Sequence, residues 1–179
     1  MTNIQMILAL GAMILLTILI TNVNKNSLNT EDVMYDSNFG ITATSIASSI
    51  IEDASKKRFD EVSATFYTNG VGDTIYTNVT NPTDFTAAGN LGVDSGEDIN
   101  NEKTFNDFDD FDGYSGIDST MPSAIFDYSC AVHYVNDGDL DNTTNTQTFH
   151  KKITVRVWSR SMKDTIVMSS IYSYWNFLP

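Results

Sequence analysis

Acidic side chains at two-residue spacing are the feature of this chain most able to do chemistry. Asp137, Asp139 and Asp141 stand in the run Asp137-Gly138-Asp139-Leu140-Asp141-Asn142, and Asp107-Phe108-Asp109-Asp110-Phe111-Asp112-Gly113 is denser still. Carboxylates set this way are ligands for a hard cation, calcium above all, which takes about six to eight oxygens. Neither run is an EF-hand loop. Thr148 occupies the twelfth position, where the first would need its closing glutamate, and Phe108 takes the first ligand position of the second when Gly113 is set as the turn glycine. Calcium at either run competes with a plain acidic turn. Nucleophiles and bases are sparse. His133 and His150 lack ligand spacing, and Cys130 falls on the apolar side of a strand pattern, which favours a buried thiol. The chain has no Gly-rich phosphate loop, nucleophile elbow or paired metal motif. The expectation is a protein that is not an enzyme. Asn78-Val79-Thr80 and Asn142-Thr143-Thr144 fit the N-glycosylation pattern, so Asn78 and Asn142 are candidate acceptors.

Charge is unevenly placed. The net charge is −13, and between Asp73 and Asp141 fifteen acidic residues face a single Lys103. A phosphate backbone wants a basic surface, so nucleic acid is not an expected partner. Lys151, Lys152, Arg156, Arg160 and Lys163 gather in the final third. Two readings stay open: an acidic surface that keeps the protein soluble, or acidic loops of one copy meeting the basic hairpin of the next. Repeated contacts of the second kind build helical polymers.

These residues need a scaffold, and the patterning indicates an α+β one. Ala43, Ile46, Ala47, Ile50 and Ala54 recur after Phe39 at three- and four-residue steps, the stripe of an amphipathic helix. Thr30 is placed to cap that helix, with Glu31 and Asp32 in its first turn, and Lys56, Lys57 and Arg58 suit its carboxyl end. Upstream, Thr21 to Asn29 holds four asparagines and a serine, which predicts either a break or a helix that melts and restarts. The head begins near Glu61. Thr65–Tyr67 and Thr74–Tyr76 read as short strands around the turn Gly70-Val71-Gly72-Asp73. Residues 78–120 read as a long acidic loop pinned by Phe85, Phe105, Phe108, Phe111 and Tyr114. Strand alternation is clearest in Phe126-Tyr128-Cys130-Val132-Tyr134 and in Ile153-Val155-Val157. A third run, Thr165 to Trp175, is joined to the second by a hairpin through Ser159–Asp164. The expected organisation is a helical spine over 1–60 and a β-rich head over 61–179, an antiparallel sheet packed on the long helix.

The first half of that spine is set apart by what it lacks. No charged side chain occurs from Met1 to Asn24, and Met6 to Ile20 is one apolar block. No Lys or Arg precedes it and no small-residue cleavage site or cysteine follows it, so neither a secretory signal peptide nor a lipoprotein anchor fits. Ile4 to Val23 reaches the roughly 20 apolar residues that span a bilayer core. Ala9, Gly11 and Ala12 give it a small-residue face suited to close helix packing.

Met1-Thr2-Asn3-Ile4-Gln5-Met6-Ile7-Leu8-Ala9-Leu10-Gly11 resembles the mature amino terminus of type IV pilins and pseudopilins. Thr2, Ile4 and the apolar run match that family's pattern. Asn3 is more polar than usual, and Gln5 stands where most members carry a glutamate. The resemblance covers about 25 residues. It implies a methylated Met1 as the processed first residue and a long helix packed on a β-sheet head. It further implies a homo-oligomeric helical filament at the cell surface, with the subunit held in the cytoplasmic membrane before assembly. Leader peptidase, assembly ATPase and platform protein are the partners it implies. Met1, Thr2, Gln5 and Gly11 are then the assembly residues. Gln5 cannot ionise, but its amide can bond a neighbouring terminus, in place of the family's charge pairing. Two other readings stand beside this one: a single-pass, membrane-anchored binding or sensor domain outside the cell, and a minor pilin or secretion pseudopilin.

Overall fold

The computed structural model describes residues 2–64, 66–68, 74–76 and 78–176. Met1 and the turn Gly70–Asp73 lie outside them. The fold is α+β: the described residues form a long helix α1 (Asn3–Ser55), a short helix α2 (Glu61–Ala64) and seven strands. Strands β1 (Phe66–Thr68) and β2 (Thr74–Tyr76) pair antiparallel as a two-stranded ribbon. The remaining five are β3 (Ser115–Asp118), β4 (Phe126–Asn136), β5 (Asp139–Thr144), β6 (His150–Trp158) and β7 (Ile166–Ser173). They form one antiparallel sheet in the order β3-β4-β6-β7, with β5 also paired to β4.

Helix α1 runs unbroken through 53 residues, so the break expected at 21–29 does not occur. Thr30 accordingly caps nothing; its hydroxyl donates to the Asn26 carbonyl 2.8 Å away, one turn back. Thr17, Thr21 and Thr44 do the same toward Met13, Thr17 and Gly40. The physical reason lies in the balance of penalties. Each asparagine costs a helix only about 0.7 kcal/mol relative to alanine. A break would leave up to four N–H and four C=O groups without helical partners, and no proline is present in the segment to force one.

The chain divides into two compact units, Met1–Phe39 and Gly40–Pro179, so residues 40–60, which the sequence reading placed with the spine, belong to the same unit as the sheet. In the second unit Ala43, Ala47, Ile50 and Ala54 are all buried, and the Ser48 hydroxyl lies 3.9 Å from the Met168 sulfur on β7. The helical stripe is therefore the face that the second unit covers. Past Ser55, Lys57 Nζ donates to the Phe105 carbonyl at 2.6 Å and holds the long connection to the helix end.

That connection is more structured than an acidic loop. Phe85, Phe105, Phe108, Phe111 and Tyr114 are all buried, as the sequence predicts. Residues 78–120 also include two 3-10 turns, Pro82–Asp84 and Asp109–Phe111, and strand β3. Strand β3 pairs with the first half of β4 and β5 pairs with its end, both on the same edge. In the gap between them the edge is closed by other groups. Cys130 N donates to Tyr114 O and Val132 N to the Asp112 carboxylate, each at 2.8 Å. Strand β4 has a register shift between Val135 and Asn136, and Tyr134 and Val135 are both fully buried next to it. The third run ends as a strand at Ser173 and closes with a 3-10 turn, Tyr174–Asn176. Tyr174 completes a hydrophobic core with Phe59, Val79, Phe85 and Tyr134.

Candidate functional site

Two regions of the molecule carry chemistry, and each sits in its own unit. The first is the uncharged half of α1. Its large side chains face outward: Ile4, Ile7, Leu8, Met13 and Leu15 are all at least 70% exposed. The segment is long and apolar enough to cross a membrane. Twenty helical residues from Ile4 to Val23 rise about 30 Å, the depth of a bilayer core. At its start Thr2 N–H donates to Gln5 Oε1 at 3.2 Å, and Gln5 N–H returns to the Thr2 carbonyl at 2.9 Å. Thr2 is the residue before the helix and Gln5 the third within it, so the side-chain bond is one half of a capping box. Gln5 thus has an intrachain role that the sequence reading did not assign. A Cβ placed on Gly11 meets nothing within 4 Å, so no packing among the described residues requires glycine there.

The second region is a knot of charge beneath the sheet. Lys151 lies on the inward face of β6 together with Ile153, Val155 and Val157, and it is fully buried. Its ammonium donates to Asp60 Oδ2 at 2.7 Å, to Asp109 Oδ1 at 2.5 Å and to the Phe59 carbonyl at 2.8 Å. The Phe59 ring lies 4.6 Å below it and the Tyr134 ring 5.2 Å away. A buried ammonium survives only when it is paired and hydrogen-bonded. Burial by itself would lower the Lys151 pKa. The charges of Asp109, Asp60 and Asp107 outweigh that and raise it, so the group stays cationic. Lys151, which the sequence groups by charge with the other cations of the final third, is thus set apart from them by burial. Lys152, on the opposite side of the strand, reaches the Leu140 and Asp141 carbonyls at 3.4 and 3.2 Å.

The aspartates around Lys151 are individually placed. Asp60 starts α2 by accepting from Val62 N, and it also accepts from Thr86 N and the Tyr134 hydroxyl. Asp107 Oδ1 accepts from Asp109 N at 2.8 Å and Asp110 N at 3.2 Å, which starts the 3-10 turn. Asp110 Oδ2 accepts from Asn106 N and Asp107 N, both at 2.9 Å. Asp112 closes the sheet edge. The run read as a candidate cation loop thus gives Asp109 to Lys151, Asp110 and Asp112 to backbone amides, and Phe108 and Phe111 to the core. Among the described residues two carboxylate oxygens are left over: Asp107 Oδ2 and Glu61 Oε2 are buried without a hydrogen-bond partner. Burial, with the charge of Asp109 next, pushes the Asp107 carboxyl up to about 10.

The other candidates take positions the sequence did not distinguish. Asp137 and Gly138 turn the β4–β5 hairpin, and Asp139 and Asp141 lie on β5, a strand the sequence reading passed over. Asp137 Oδ1 is 2.8 Å from His150 Nε2, and Asp139 accepts from Asn142 N and Nδ2 at 3.2 and 2.9 Å. Asp137 and Asp139 thus each have a partner within the chain. Asn142 is exposed, with its amide held by Asp139; Asn78 is exposed and accepts from the Tyr174 hydroxyl at 3.1 Å. Cys130 is a buried free thiol whose pKa burial pushes up to about 12. No protein-family model, curated protein or solved structure matches this chain.

Proposed function

We propose that the protein is the structural subunit of a type IV pilus-like extracellular filament, polymerising through the uncharged half of α1. The observation that carries this is a charge-free helical segment whose apolar side chains are open along its whole length, continuous with a helix whose later stripe is buried in a folded acidic unit. Burial of that open surface yields roughly 25 cal/mol per Å². A bilayer supplies it first and a bundle of identical helices afterwards. Gly11 supports the bundle as the final address. Glycine inside a helix costs about 1 kcal/mol relative to alanine, and no contact among the described residues accounts for it. Close approach of a neighbouring helix does. The capped Thr2–Gln5 turn supports a role in which Gln5 satisfies a backbone amide at the helix start without carrying a charge into lipid.

Electron microscopy of cell-surface material, with mass spectrometry of the repeating chain, tests the reading. Filaments built from this chain are the expected result. A monodisperse detergent-solubilised monomer, with no filaments from the producing cells, would sink it in favour of a membrane-anchored extracytoplasmic domain.

A further inference from the structure

Glu61 is the first residue of α2, while Asp94 and Asp107 lie thirteen residues apart in the connection between the two 3-10 turns, Asp107 two residues before the second. One carboxylate oxygen from each lies within 4.8 Å of the other two. Two oxygens bound to a single calcium at about 2.4 Å are at most about 4.8 Å apart. Proximity of acids alone would not distinguish a site from an acidic surface. The distinguishing fact is that Asp107 is fully buried, with Oδ2 unpartnered, and that Glu61 Oε2 is buried and unpartnered as well. An anionic oxygen removed from water without a donor is strongly disfavoured. Lys151 donates a hydrogen bond to neither oxygen, since its ammonium is bonded to Asp60, Asp109 and the Phe59 carbonyl, and only its charge acts on Asp107.

We infer that Glu61, Asp94 and Asp107 bind a calcium ion that fastens the long connection to the start of the head. All three donors are hard carboxylate oxygens, the set calcium prefers and zinc or copper does not. Asp94 is exposed, which gives the ion a route in and leaves room for water in its shell. The approach is shaped by the backbone. Gly92 and Gly96 both take positive φ, +119° and +110°, and Asp94 N–H is held by Glu97 Oε2 at 3.1 Å. Arg58 and Asp107 are bridged through their backbones, with Arg58 N donating to Asn106 O at 3.3 Å, so two of the three ligand segments already run side by side. The site is separate from the Asp137–Asp141 hairpin, and it does not depend on filament assembly.

The test uses the full chain in mild detergent, stripped with EGTA and titrated with calcium by calorimetry and by thermal unfolding. One calcium per chain is expected, with the unfolding midpoint rising by about 5–10 °C at saturation. Asp94→Asn, an exposed change that leaves the core intact, should abolish or sharply weaken both signals. Asp107→Asn should remove calcium binding while leaving the calcium-free protein at least as heat-resistant as wild type, because an unpaired acid is gone. A combined change of Asp137, Asp139 and Asp141 to Asn should leave the response unaltered. No heat and no midpoint shift at millimolar calcium would overturn the site and indicate that a proton satisfies the Asp107–Glu61 oxygens. An undiminished response in Asp94→Asn and Asp107→Asn, lost in the hairpin variant, would overturn it in favour of the hairpin.

Discussion

The uncharged half of α1 and the floor of the sheet handle charge in opposite ways. From Asn3 to Asn24 the helix has no ionisable side chain, and its apolar groups are exposed. Under β6 the chain buries Lys151 with Asp60, Asp107, Asp109 and Asp110. The first arrangement leaves the apolar surface unsatisfied within a single chain and makes it depend on something outside. The second is satisfied internally, through named hydrogen bonds, and depends on nothing outside except where Glu61 and Asp107 leave oxygens over. Removing charge makes a surface adaptable, able to enter lipid or a helix bundle. Burying paired charge fixes one geometry, because each partner has a single position that satisfies it.

The largest way to break the comparison is at Lys151. Lys151→Met would leave Asp60 and Asp109 without their cation, and losing one partner of a buried pair costs about 3–5 kcal/mol. Near-ultraviolet circular dichroism of the ring cluster around Phe59, Phe85 and Tyr174 should show a much lower unfolding midpoint, while the far-ultraviolet helix signal of the apolar segment in detergent persists. The double change Lys151→Met with Asp109→Leu should regain at least about 1 kcal/mol, since one stranded charge is removed. A single mutant with wild-type stability would mean the cluster is not ionised as described.

Gly11→Leu probes the other side. It should abolish filaments and leave head stability within about 0.5 kcal/mol of wild type, because none of the described residues lies near a Gly11 side chain. Electron microscopy and a thermal melt read the two outcomes separately. Normal filaments from this variant would show that helices do not pack closely at Gly11. Between the two regions, amides of residues 21–29 should exchange with solvent at least about tenfold faster than those of residues 43–54, since asparagines weaken the first and burial supports the second. Equal protection would show that the helix is uniform in stability as well as in form.

How much of this was legible in the sequence follows the same division. The apolar block, the Ala43–Ala54 stripe and the alternation in β4 and β6 are periodic, and periodic signals survive folding because each residue contributes the same kind of contact. Lys151 was missed although its signal was present: counting back by two from Val157, Val155 and Ile153 lands on it. Grouping it by charge with Lys152 and Arg156 hid its place on the inward face. The dense aspartate run was recognised as unusual, but its roles were not. Whether an aspartate caps a turn, pairs with a lysine or meets a glutamate distant in sequence depends on tertiary neighbours. Strand β5 was masked because Asp139-Leu140-Asp141-Asn142 has turn-like composition; only pairing with β4 makes it a strand. The helix through Thr21–Asn29 shows local propensity overridden by the cost of creating two new helix ends.

The smallest expected effect concerns Gln5, and it separates two roles for that residue. If its work is to cap its own helix, Gln5→Ala should remove about 0.5–1 kcal/mol from the first turn. Gln5→Glu should keep the cap, and its charge should gain about 0.3–1 kcal/mol near the helix start in water. Neither change should then alter filament yield by more than a modest factor. If Gln5 instead bonds the terminus of a neighbouring subunit, the ranking is set by the interface: Ala should reduce assembly severely, while Glu should assemble as well as Gln or better by adding an ion pair. Amide exchange of residues 3–6 reports the cap, and filament mass per cell reports the interface. The 3.2 Å bond from Thr2 N–H to Gln5 Oε1 favours the first outcome in the isolated chain. Assembly would have to exchange that bond for another, so an intact cap with failed assembly in the Ala variant would assign Gln5 to the interface, and a lost cap together with failed assembly is the one result that no single role explains.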